Sequence, residues 1–89
     1  MLYLINYDLR ISGRDYSPLY NAIANLGPAL NCLQSSWLLQ SASPITSIRS
    51  SLQQYLTESD SLLVVDITGK SYDGWLNRNY WSWLREHNF

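Results

Sequence analysis

Residues 2–7, Leu-Tyr-Leu-Ile-Asn-Tyr, put apolar or aromatic side chains on both faces of an extended chain, and Asp8 ends the run. That pattern predicts a central strand covered on each side. The polar stretch 9–15, with Gly13, reads as a loop. Ser17-Pro18 then predicts a helix start, with Ser17 as N-cap and Pro18 at the first helical position, where a missing N–H costs nothing. Leu19, Ile23 and Leu26 recur at helical spacing until Gly27-Pro28 stops them. Residues 29–40 carry Leu30, Cys32, Leu33, Trp37, Leu38 and Leu39 with polar residues between. They fit one bent strand or two short strands joined near Gln34-Ser35, and periodicity does not separate the two. Ser43-Pro44 repeats the helix start, and Ile45, Ile48, Leu52, Tyr55 and Leu56 form the stripe that follows. Glu58-Ser59-Asp60 reads as a turn, and residues 62–67, Leu-Leu-Val-Val-Asp-Ile, make the strongest strand pattern in the chain. Thr68-Gly69-Lys70 closes it. Asp73-Gly74-Trp75-Leu76 reads as a turn with room for a short edge strand, and Asn77 or Asn79 caps a last helix bearing Tyr80, Trp81, Trp83 and Leu84.

The order is strand, helix, one or two strands, helix, strand, then an aromatic tail. Right-handed crossovers place the first two helices on one face of the sheet. If residues 29–40 split in two, the fold class is α/β (α+β) in the ferredoxin-like βαββαβ order, with an antiparallel sheet and a short aromatic C-terminal helix. The opposite sheet face is then expected to stand open, and a second copy is the simplest cover for it. Eighty-nine residues fit a single domain, 1–89, with a core over 1–68 and an aromatic extension over 69–89.

Composition supports a compact protein: 46% of residues are apolar, and four Trp and seven Tyr supply large areas per side chain. No stretch approaches the roughly 20 apolar residues of a membrane helix. The first residues lack the basic region and long apolar run of a secretory signal, so a cytoplasmic protein with no membrane partner is expected. Cys32 is the one cysteine, without a Cys or His at metal-ligand spacing, and reads as a small buried apolar residue. Six basic residues against seven acidic give a net charge of −1, and the arginines are scattered. Tight non-specific binding of nucleic acid needs clustered cations. A two-fold dimer can gather Arg10 and Arg14 from each subunit onto one surface.

Three stretches resemble the small proteins related to the second CRISPR-associated (Cas) family, in the branch labelled SinR. They are Tyr3-Leu4-Ile5-Asn6-Tyr7-Asp8-Leu9, Leu33-Gln34-Ser35-Ser36-Trp37-Leu38 and Asp60-Ser61-Leu62-Leu63-Val64-Val65-Asp66-Ile67. With the intervening helices the resemblance spans about residues 1–68. It implies a homodimer of ferredoxin-like subunits in a bacterial defence or toxin–antitoxin setting. In catalytic members the acid at the end of the first strand, here Asp8, is the catalytic metal ligand, facing its copy across the dimer axis. The resemblance therefore implies Mg²⁺ or Mn²⁺ as cofactor.

Each candidate has a plainer use. Asp8 can cap the loop after its strand, and Asp66, inside a strand, can face outward. If their strands are neighbours, the two acids can share one edge of the sheet. Ser35 and Ser36 can donate to a phosphate near Asp8, or be polar residues at a bend. His87, near the C-terminus, is a poor catalytic base. Trp75, Tyr80, Trp81 and Trp83 can stack bases, but without flanking cations they are expected to pack the tail. Charge and the scarcity of site residues favour a non-catalytic module binding a protein or a nucleic acid, the latter through Arg10, Arg14 and Ser36. The alternative is a divalent-metal-dependent endonuclease, acting on RNA or DNA through Asp8.

Overall fold

The computed structural model describes residues 1–87. Four strands and three helices follow one another as β1 (Leu2–Asp8), α1 (Ser17–Asn25), β2 (Ala29–Leu33), β3 (Ser36–Gln40), α2 (Ile45–Gln53), β4 (Ser61–Asp66) and α3 (Arg78–His87). The strands form one antiparallel sheet in the order β2-β3-β1-β4. Residues 29–40 are therefore two strands, a hairpin turning at Gln34-Ser35. No strand forms over residues 73–76.

β1 is central because its two faces are both apolar. Tyr3, Ile5 and Tyr7 face α1 and α2, in a core completed by Leu19, Ile23, Leu39, Ile48 and Leu52. Leu2 and Leu4 face the other way, with Leu38, Cys32 and Leu84. The second face is thus partly covered by the chain itself. α3 lies across it, and Tyr80, Trp81 and Trp83 pack there, as expected of the aromatic tail. The hydrophobic stripe of α3 packs on Leu2 of β1, Cys32 of β2 and Leu38 of β3. Beyond it, Leu63 and Val65 of β4 remain 62% and 38% exposed.

The helix starts differ from the expected caps. Ser17 lies inside α1, its own N–H donating to Asp15 Oδ1 at 2.9 Å. A carboxylate is the stronger acceptor, so Asp15 satisfies the first turn in place of the Ser17 hydroxyl. α2 begins after Pro44 without a side-chain cap. Tyr3 Oη fixes the approach to α2 by donating to the Ser43 carbonyl at 2.7 Å. Asn77 does cap α3, its Oδ1 accepting the Asn79 N–H at 2.9 Å.

Between α1 and β2 the chain passes directly over β3. Gly27 has φ +154°, and a Cβ there would stand 2.2 Å from the Gln40 carbonyl oxygen. The Gln40 N–H in turn donates to the Pro28 carbonyl at 2.9 Å.

Candidate functional site

The C-terminal end of β1 gathers most of the polar residues singled out in the sequence. Asp8 is 58% exposed at its side chain, and Arg10 clamps one of its oxygens: Nε at 2.9 Å and a terminal guanidinium nitrogen at 2.5 Å from Oδ2. The carboxylate raises the Arg10 pKa, through hydrogen bonding first and charge second. Arg14 lies over the Tyr16 ring, 5.5 Å from its centroid, a cation–π contact. Ser36 is buried, and its hydroxyl donates to Asn6 Oδ1 at 2.8 Å across the β1–β3 pair. Asp8, Arg10, Arg14 and Ser36 thus sit within one end of the molecule, but all four already have partners: Asp8 and Arg10 each other, Arg14 the Tyr16 ring and Ser36 the Asn6 side chain. A shallow depression of about 250 Å³ beside Asp8 is lined by Asn6, Ser61 and Leu63.

Asp66 is elsewhere. Antiparallel pairing sets Asp8 opposite Ser61 and Tyr3 opposite Asp66, so the two acids lie at opposite ends of neighbouring strands. They share no site. Asp66 instead accepts the Thr68 N–H at 3.0 Å, and hydrogen bonding to Thr68, through its side chain first and its backbone second, lowers the Asp66 pKa. His87 stacks on Trp83 at 4.2 Å, with Nδ1 2.8 Å from the Trp83 carbonyl. Cys32 is buried, and burial raises its thiol pKa, which keeps it an apolar filler. Among the described residues no three His, Cys, Asp or Glu side chains group as metal ligands.

Among the described residues the most heavily hydrogen-bonded acid is Asp60, in the turn at Glu58-Ser59-Asp60. It accepts the Arg10 N–H at 2.8 Å, the Tyr16 hydroxyl at 2.8 Å, the Thr57 N–H at 2.9 Å and the Thr57 hydroxyl at 3.0 Å. Partial burial pushes its pKa up, but the donors outweigh that and bring it down to about 2. The signal was local: a Thr three residues before an Asp, the spacing of a side-chain-capped turn. Asp60 ties the loop after β1, α1 and the approach to β4 together. Because its folded pKa lies below the ordinary 3.8, the folded form is favoured above pH 4 and loses that support as pH falls towards 2. Asp60→Asn should lower the melting temperature at pH 6. It should also flatten the fall in melting temperature between pH 4 and 2 relative to wild type. Thermal unfolding followed by circular dichroism across that range is the check, and parallel curves would remove Asp60 as the acid-sensitive group.

The other candidate surface is apolar. A groove of about 240 Å³ opens on the second face between the sheet and the 72–76 segment, walled by Leu4, Leu33, Leu38, Ile67 and Trp81. At its rim Trp75 is 98% exposed, unlike the other tryptophans. No protein-family model and no curated protein matches the chain, so residues and geometry carry the functional reading.

Proposed function

We propose that the chain is a small, non-catalytic binding module of ferredoxin-like architecture, which associates through the uncovered part of its second face with another copy of itself or with a protein partner. The single observation behind this is Trp75. A fully exposed indole costs free energy in water and is the side chain most often found as an interface anchor. Leu63 and Val65 are further exposed apolar side chains on the same face of the sheet. The ferredoxin-like assignment is supported by the βαββαβ order of the first six elements and by β1 and β3 at the centre of the sheet. Trp75→Ala should weaken association by about tenfold or more, the usual scale for a hot-spot residue, and leave the melting temperature unchanged. Sedimentation equilibrium over a concentration series measures both proteins. Equal association of Trp75→Ala and wild type counts against this face.

A divalent-metal-dependent endonuclease is the second reading, favoured by the exposed carboxylate of Asp8 at the open end of β1. One chain supplies a single carboxylate there, held by Arg10, which is a poor fit for a metal ion. A site would need Asp8 from a second copy and release of Arg10. Mg²⁺- or Mn²⁺-dependent cleavage of RNA or DNA that disappears in Asp8→Ala would support it. Cleavage unchanged by that substitution would end it.

A further inference from the structure

Four of the five aspartates in the chain are held away from the peptide bond that follows them. Asp8 is clamped by Arg10, Asp15 accepts the Ser17 N–H, Asp60 is bound by four donors and Asp66 accepts the Thr68 N–H. Each of them precedes a residue with a side chain: Leu9, Tyr16, Ser61 and Ile67. Asp73 precedes Gly74, and its carboxylate is folded back onto the next amide, with Oδ1 accepting the Gly74 N–H at 2.8 Å. No asparagine in the chain precedes a glycine.

The backbone at this point is open. Residues 71–77 belong to no strand or helix, and residues 69–75 are all exposed. The fold does not ask for a glycine at position 74: a Cβ there would meet nothing within 4 Å, and its φ lies outside the left-handed region. What the missing side chain does supply is a mobile backbone and an uncrowded nitrogen.

We infer that Asp73-Gly74 is a site of spontaneous isomerisation, at which the chain converts its own aspartate to isoaspartate. The Gly74 nitrogen adds to Asp73 Cγ and forms an N–Cγ bond. A carboxyl oxygen leaves as water, taking the amide proton and the carboxyl proton, and a cyclic succinimide remains. Water then adds to one of the two ring carbonyls and breaks its bond to nitrogen. Opening at Cγ restores aspartate; opening at the Asp73 main-chain carbonyl leaves the chain running through Cβ and Cγ. Water lost in the first step is regained in the second, so the mass is unchanged and no oxidant or cofactor enters. Ring closure needs the backbone at Asp73 to turn its neighbour's nitrogen towards Cγ, a movement that a ladder or a helix forbids and an exposed irregular segment allows. The product has a main chain longer by one methylene, two residues before Trp75, which is 98% exposed. Asp73, Gly74 and Trp75 all line the groove on the second face, so the lengthened segment re-aims the indole. The chemistry stands without the binding role given to Trp75 above; its effect on association rests on that role.

The test ages the full chain for several weeks in mildly acidic buffer at body temperature and follows the tryptic peptide 71–78, released by cuts after Lys70 and Arg78. Wild type should split this peptide into two chromatographic peaks of equal mass, the new one resisting an endoproteinase that cuts before aspartate but not before isoaspartate. Electron-transfer fragmentation should place the added main-chain methylene at position 73. Gly74→Ala should slow growth of the new peak by about tenfold or more, because a Cβ beside the attacking nitrogen raises the barrier, and leave the melting temperature unchanged. Asp73→Glu, whose ring would be one atom larger, should form no such product. A single peak in aged wild type, equal growth in Gly74→Ala, or faster isoaspartate formation at Asp60 or another acid would overturn the inference. The purified isoaspartyl form should associate about tenfold more weakly in sedimentation equilibrium, the scale of losing a hot-spot contact. Full association of that form beside weakened Trp75→Ala would overturn the coupling of the two positions. Full association of both would overturn the Trp75 face instead, with the peptide peaks still deciding the modification.

Discussion

Replacing Gly27 by Ala should lower the melting temperature by about 10–20 °C, the shift that a loss of roughly 2–4 kcal/mol makes in a domain of this size. The new methyl group would be forced to within 2.2 Å of the Gln40 carbonyl oxygen, well inside van der Waals contact. Backbone, not a flexible side-chain end, is the obstacle, so relief requires moving β3 or the α1–β2 connection. Moving either disturbs the bond between the Gln40 N–H and the Pro28 carbonyl. The φ of +154° adds cost for any residue with a Cβ. Gly13, at φ +80° with nothing near its would-be Cβ, is the control: Gly13→Ala pays only the backbone term and should lose much less. Equal losses at the two positions would show that steric contact is not the cause.

Leu84→Ala should cost about 2–4 kcal/mol, the usual range for a buried leucine. Leu84 is 3% exposed and is the α3 residue that locks into Leu2, Leu38 and Cys32. A chain of this length holds only about 5–10 kcal/mol in all. Losing the anchor of α3 therefore exposes the second face in a measurable fraction of molecules. Urea unfolding at 25 °C gives the change directly, and binding of a hydrophobic dye before the main transition should report the uncovered face. Trp75→Ala should leave the urea midpoint in place. A Leu84→Ala midpoint within error of wild type would mean that α3 does not hold the sheet.

The elements themselves were legible because their patterns were short and unmixed. Residues 2–7 are apolar on both sides and became the central strand; 62–67 are β-branched and leucine-rich and became β4. Where β4 would sit was not legible. A continuous apolar run looks the same at the centre of a sheet as at an edge, and here two of its side chains are left in water. Nor could spacing place α3. Its aromatic residues announce packing but not the surface they pack on, and that surface turned out to be the face expected to be open. Asp8 and Asp66 could be compared only once the strand directions were known. The hydrogen-bond load on Asp60 was hidden for a similar reason, since Arg10 and Tyr16 are distant in sequence and meet it only after folding.

The central place of β1 has a consequence for how the protein is made. β1 pairs on one flank with β3 and on the other with β4, which follows all the other strands of the sheet in the chain. The β3 flank can be paired early, but the β4 flank stays open until α2 and β4 have been made. Completion of the sheet waits for β4, and contacts between distant parts of the chain set a slow pace. During that interval the open flank of β1 is a natural client for chaperones that shield newborn chains.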